Sequence, residues 1–123
     1  MDINDASGHV VSSAMKVHTA LGPGLLESAY EACMTFDLRR KGLRVRRQVR
    51  TPIVFDGHRI NIGYKLDMLI DDQVVVELKA VSRILDIHHA QLLSYLKLGN
   101  YNVGLLLNFH VSRMKDGIVR FAN

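Results

Sequence analysis

The sequence of 123 residues holds one cysteine, Cys33, and no apolar run of membrane-spanning length. A single thiol excludes an internal disulfide. In a helical pattern, Cys33 is expected as a small buried hydrophobe. The opening stretch "MDINDASGHVV" has no basic segment followed by an apolar one, so no secretory leader is expected. These absences agree with a reducing, cytoplasmic setting. Zinc spacing is missing too: His18, His88 and His89 are scattered over two elements. His18 is expected as a packed or hydrogen-bonded core residue. There are no repeats, linkers or low-complexity tracts. The remaining composition, 48% hydrophobic and 23% charged, suits a single globular domain over residues 1–123.

Acid is also missing from one segment. Arg39, Arg40, Lys41, Arg44, Arg46, Arg47 and Arg50 follow one another with no Asp or Glu between them, within a chain of formal charge +4. Such a cluster suits a polyanion, nucleic acid above all. It equally suits a helix C-terminus, where cations favour the dipole, and an edge strand protected by charge. Both readings stand at this point.

Apolar residues Val10, Val11, Ala14, Val17 and Leu21 recur at helical steps over Ala6 to Leu21. "GPG" at Gly22 to Gly24 breaks the chain. A second helix is expected from Leu25 to Lys41, with Leu26, Ala29, Tyr30, Cys33 and Leu38 inside and Gly42 as its stop. "LRVRRQVRTPIVF" alternates in part, and Pro52 suggests an edge strand or a bulge. Asp56-Gly57 is a hairpin signal. "RINIGYKLDMLI", the turn "DDQ" and "VVVELKA" continue an antiparallel meander. "DIHHAQLLSYLKLGN" reads as a helix capped by Asp86 and stopped by Gly99. "YNVGLLLNF" is a buried strand, and "KDGIVRF" a last turn and strand. The order is ααβββαββ, one sheet flanked by helices, in which the third helix returns the chain so that the fourth strand lies parallel to the third.

In "VVVELKA" the three valines read as core. Glu77 and Lys79 then share one face of the strand. If "DDQ" is a tight turn, Asp67 comes close to Glu77 across the strand pair. Two neighbouring carboxylates repel unless a cation joins them, and hard oxygen ligands suit Mg²⁺ or Mn²⁺. Lys79 is placed to position a water or to stabilise charge on a phosphoryl oxygen. The other reading is an ion pair or a solvated string. Gln91 and Tyr95 share a face of the third helix. His88 lies on that face as a candidate to support the site from behind, and Asn108 is a weaker one. Glu27 near the start of the second helix either favours its dipole or supplies a further ligand.

"GLLESAY", Gly24 to Tyr30, matches the motif that names the GxxExxY protein family. The likeness runs on through "VHTALGPGLLESAYE", "INIGYKLDMLI", "VVVELKAV", "HHAQLLSYLKL", "VGLLLNF" and "KDGIVRF". That family resembles a small branch of the PD-(D/E)XK nuclease-like superfamily. The resemblance implies an α/β, restriction-endonuclease-like core, with the active site at one end of the central hairpin. It implies Glu27 as the helix acid, Asp67 as a metal ligand, and Glu77 and Lys79 as the Glu-x-Lys pair. Gln91 and Tyr95 match the Gln-x-x-x-Tyr helix of the related exonuclease branch. The backbone carbonyl of Leu78 would be a further metal ligand. Leu66, not Pro, precedes Asp67. The implied activity is Mg²⁺- or Mn²⁺-dependent hydrolysis of DNA or RNA, with the basic cluster touching phosphates. A non-catalytic nucleic-acid- or nucleotide-binding module, or a structural homodimer, is the alternative on the same fold.

Overall fold

In the computed structural model, which describes residues 1–61 and 63–123, helices α1 (Ile3–Leu21) and α2 (Glu27–Arg40) come first. Strands β1 (Val45–Phe55), β2 (His58–Ile70) and β3 (Val74–Lys79) follow, then α3 (Asp86–Gly99) and β4 (Val103–Asn108). A 3-10 turn (Met114–Gly117) and β5 (Ile118–Ala122) close the order. The five strands lie side by side in sequence order. All neighbours are antiparallel except β3 and β4, which are parallel and joined through α3. The expected ααβββαββ order and the parallel return are both present.

Helix α1 buries Ala6, Val10, Ala14 and Val17 along one stripe, and His18 with them. The His18 ring meets the Val111 carbonyl at 2.8 Å, as expected of a hydrogen-bonded core histidine. Gly22 turns the chain out of α1 with φ +76, a conformation that costs glycine little. Tyr30 then ties this loop down. Its hydroxyl donates to the Gly22 carbonyl at 2.6 Å and accepts from the Leu25 N–H at 3.0 Å. Its ring stacks on Phe109, beyond the end of β4, with centroids 4.2 Å apart. The closing tyrosine of "GLLESAY" therefore sets where α2 begins and holds that end against the sheet.

Helix α2 is less apolar inside than its pattern suggests. Its buried side runs Tyr30, Met34 and Leu38, four residues apart, with Glu31, Thr35 and Asp37 buried beside them. Cys33 is exposed, contrary to the expectation of a buried thiol. Leu26 precedes the helix and is 78% exposed, also against expectation. The exposure of Cys33 has a visible cause. Polar residues of α2 take inner positions because partners await them, which turns Cys33 outward. Asp37 is the clearest case, meeting Lys16 of α1 at 3.0 Å, Arg40 at 2.8 Å and Lys41 at 3.3 Å. Burial would push its carboxyl up. Lys16, Ser13, Arg40 and Lys41 together hold it well below the usual carboxylate range.

The sheet separates two apolar layers. Val45, Met68, Ile70, Val74, Val76, Leu78, Leu105 and Leu107 pack with α1 and α2. Leu66, Leu69, Val75 and Leu106 pack with Leu92 and Leu96 of α3. Leu66 and Met68 are two residues apart yet lie in opposite layers, as Val45 and Val49 do four apart. Regular pleating forbids both. The irregularity is Gln48, at φ +51. The β1–β2 pairing steps from Arg47↔Met68 to Val49↔Leu66 and passes over Gln48 and Asp67. The turns agree with the sequence: Asp56 and Gly57 both take positive φ, as do Asp71 and Asp72. Pro52 sits on edge strand β1 beside a register shift between Thr51 and Ile53.

Helix α3 starts differently from the expectation. Leu85, not Asp86, is its N-cap, and the His88 Nδ1 accepts the Leu85 N–H at 3.0 Å. An imidazole three residues into the helix does the capping, and Asp86 becomes the first-turn acid. Gly99 ends the helix, and Asn100 follows in the left-handed conformation.

Replacing Tyr30 by Phe removes one donor and one acceptor while keeping the stacked ring. We expect Tyr30→Phe to lower unfolding free energy by about 1–3 kcal/mol in urea denaturation, because two backbone groups lose their partner.

Candidate active site where two strands part

The β2–β3 pairing runs from Ile70↔Val74 to Met68↔Val76 and then stops. One step further, side chains replace backbone. The Asp67 N–H donates to Glu77 Oε1 at 3.0 Å, and the Leu78 N–H donates to Asp67 Oδ2 at 2.9 Å. Each carboxylate thus takes a backbone donor of the other strand, and the two are drawn together. On the opposite side of β2, Gln48 is also out of the pairing. Asp67 therefore stands where its strand is parted from both neighbours. A cavity of about 280 Å³ opens there, lined by Glu27, Ser28, Glu31, Gln48, Asp67 and Leu78.

Glu77 is only 7% exposed. Burial, with the charge of Asp67 added, pushes its carboxyl up to about 9, although Lys79 pulls the other way. The Tyr95 phenol is raised too, first by burial and then by Glu77, Asp67 and Tyr64. Tyr95 packs on the sheet layer that includes Leu66 of β2 and Val75 of β3. The Tyr95 ring lies 5.4 Å from that of Tyr64 on β2.

The other expected residues are placed as follows. Glu27 is the first residue of α2, and its Oε1 accepts the Ala80 N–H just past β3 at 3.2 Å. It reaches the cavity wall without joining the Asp67–Glu77 contact. Lys79 is half-buried, one pleat beyond Glu77. Gln91 is exposed, one turn before Tyr95. His88 is engaged at the start of α3 through the cap already described. Asn108 clamps the chain after β3: its Oδ1 accepts from Val81 N–H at 3.1 Å, and its Nδ2 donates to the Val81 carbonyl at 2.9 Å.

Sequence reasoning missed Glu31 and Gln48. Glu31 takes the Arg47 Nε at 2.9 Å on one oxygen and the Gln48 Nε2 at 2.8 Å on the other. It thereby holds the left-handed residue opposite Asp67. The available signal was the spacing of Glu27 and Glu31 in "ESAYE", one helical turn apart. The basic cluster is also less bare than its sequence suggests. Arg40 and Lys41 meet Asp37, Arg44 and Arg46 meet Asp72, and Arg47 meets Glu31. Arg39 donates to the Val45 carbonyl at 2.8 Å. Among the described residues, Arg50 alone of the seven has neither kind of partner.

A family model described as the PD-(D/E)XK nuclease superfamily matches residues 4–121. The chain belongs to the PD-(D/E)XK nuclease superfamily. No curated protein and no solved structure matched. Nucleases of this superfamily generally use divalent metals. The donor set here fits such an ion. Two carboxylates in contact, one buried enough to hold a proton, are short of positive charge, and Mg²⁺ is commonly held by one or two carboxylates with several waters. Among the described residues, no three His, Cys, Asp or Glu side chains converge as a ready-made cluster. This agrees with Glu27 standing off at the Ala80 N–H. No helix among those residues is long and apolar enough to cross a membrane.

The raised Glu77 carboxyl has a consequence for stability. Between its ordinary value of 4.5 and about 9, the folded chain keeps a proton that the unfolded chain releases. Stability therefore falls as pH rises through that window. We expect Glu77→Gln, measured without metal, to be more stable than the parent by up to about 3 kcal/mol at pH 7. The difference should shrink towards pH 4.5. Thermal melting across that range checks it.

Proposed function

We propose that this protein is a nuclease of the GxxExxY branch that hydrolyses phosphodiester bonds of DNA or RNA with Mg²⁺ or Mn²⁺, residues 1–123 acting as one domain. The observation that carries this reading is the contact between Asp67 and Glu77 at the parted strands, with Lys79 one pleat along. Asp67, Glu77 and the Leu78 carbonyl would hold the ion, with Glu27 reaching it through water. The ion would supply positive charge for a phosphoryl oxygen and for activating water.

The chain's own groups do the rest. Lys79 carries a cation on the Glu77 face, where it orients water or offsets charge developing on the phosphoryl group. Tyr95, set beside the pair by α3, and Gln91, exposed one turn earlier, position the substrate or Lys79. His88 supports this face indirectly, by capping the helix that carries it. The cavity walls, with Glu31 and Gln48 fixed to each other, hold the strand gap open.

Incubation with single- and double-stranded DNA and RNA tests the reading, with Mg²⁺, with Mn²⁺ and with chelator. Cleavage should need metal, and Asp67→Ala and Lys79→Ala should each abolish most of it, by about 100-fold or more. Cleavage that survives both substitutions sinks the proposal. A second readout is independent of turnover: Mn²⁺ at 100 times its Kd should stabilise the parent by about 2.7 kcal/mol, and Asp67→Ala should lose that gain. Tight, metal-independent binding without cleavage would instead favour a non-catalytic module.

A further inference from the structure

The β1–β2 hairpin is longer than the sheet needs. Strand β2 spans His58–Ile70, but β3 pairs only with Met68 to Ile70. Its outer part, paired with β1 alone, runs on to the Asp56-Gly57 turn. Arg50 pairs directly with Lys65, and Val54 with Arg59. Arg50 therefore faces Lys65 across the pair, and Arg50 and Arg59 come together at one depression of the hairpin. All three are exposed.

Two cations directly opposite one another destabilise a strand pair. The cost is normally offset by a carboxylate. Elsewhere in the basic segment, Arg40, Lys41, Arg44, Arg46 and Arg47 each have one. Here, among the described residues, none of the three cations meets an acid. Arg59 reaches only the Asn61 amide oxygen, at 3.3 Å. Arg50, Arg59, Pro52, Asn61 and Gly63 line a shallow depression of about 230 Å³ on the hairpin. Of the aromatic residues of the arm, Tyr64 packs on Tyr95 of α3, and Phe55 pairs with His58 at the hairpin turn.

We propose that this outer hairpin is a phosphate-gripping arm, and that Arg50, Arg59 and Lys65 dock it on the backbone of a nucleic-acid duplex. The substrate class rests on the nuclease reading. The choice of duplex comes from the arm itself. Proteins that hold single strands interleave cations with aromatic rings on which bases stack. The depression shared by Arg50 and Arg59 offers phosphate contacts, while the Tyr64 ring is taken up by Tyr95. From Arg50 to Val54, the partner of Arg59, the strand rises about 13 Å, over which a duplex presents several charges. The arm would supply grip beyond the cleaved step, which a short core otherwise lacks.

Fluorescence anisotropy of a short mixed-sequence DNA duplex, titrated in chelator so that nothing is cut, tests this on the full chain. The triple variant Arg50→Gln, Arg59→Gln, Lys65→Gln should bind about tenfold more weakly or worse at low salt, and its slope of log affinity against log salt should be shallower by about 2–3. Lys115→Gln, at an exposed lysine of the 3-10 turn before β5, should change little. The charge-preserving pair Arg50→Lys and Arg59→Lys should keep the parent slope, which separates lost charge from misfolding. An unchanged slope in the triple variant overturns the arm, and so does a loss in the charge-preserving pair. Equal loss on a single strand of the same length overturns the duplex assignment. Arm-dependent binding by a protein that cuts nothing would leave the arm standing while the nuclease reading failed.

Discussion

Two hydrogen bonds from backbone to carboxylate, across the end of the β2–β3 pair, hold the rest of the site in place. Where the pairing would continue, the Asp67 N–H turns to Glu77 and the Leu78 N–H turns to Asp67. Both of these donors therefore keep a partner where the strands part. The same bonds bring two acids into contact in a poorly solvated place. The gap, the cavity and the like-charge pair are one feature, made by exchanging main-chain acceptors for side-chain acceptors.

That exchange has to be braced. Val74, Val75 and Val76 are fully buried just before Glu77, and β3 lies between β2 and β4. The partly polar interior of α2 braces the opposite side: Glu31 fixes Arg47 and Gln48, and Asp37 binds α2 to α1. Tyr30 anchors the entrance to α2 on Phe109. Asn108 fastens the chain just past Lys79. Each brace lies within a few residues of the parted strands or on an element that touches them. Strain is thus met by polar contacts of defined geometry, since apolar packing alone does not fix where a carboxylate points.

Much of this was legible in the sequence, for a physical reason. Period-2 and helical spacings report which residues face the core, and positive-φ turns report where strands reverse; Asp56-Gly57 and "DDQ" are read this way. The proximity of Asp67 to Glu77 followed from the short turn between their strands. What stayed hidden has no local pattern. Gln48 is an ordinary residue in left-handed geometry, held there by a glutamate seventeen positions away. Cys33 and Leu26 looked like core because helical periodicity was judged by apolar residues, while α2 fills inner positions with Glu31, Thr35 and Asp37. The cap of α3 was assigned to its acid, although a histidine ring takes the role.

Charge is where sequence and structure diverge most, and the divergence is instructive. Counted along the chain, the basic cluster ends at Arg50 and looks uniformly available. Folded, Asp37 one turn back on α2, Asp72 from the turn after β2 and Glu31 from α2 take up most of it. These pairs are mostly surface contacts of modest worth to stability. Their larger effect is to lower the local positive potential near α2 and β1. Among the described residues, three cations left without acids, Arg50, Arg59 and Lys65, lie together on the outer hairpin, and two of them, Arg59 and Lys65, are outside the cluster altogether. A fold that neutralises one group of cations and leaves another bare on a projecting strand pair gives its net charge a direction, which a count of Lys and Arg cannot carry.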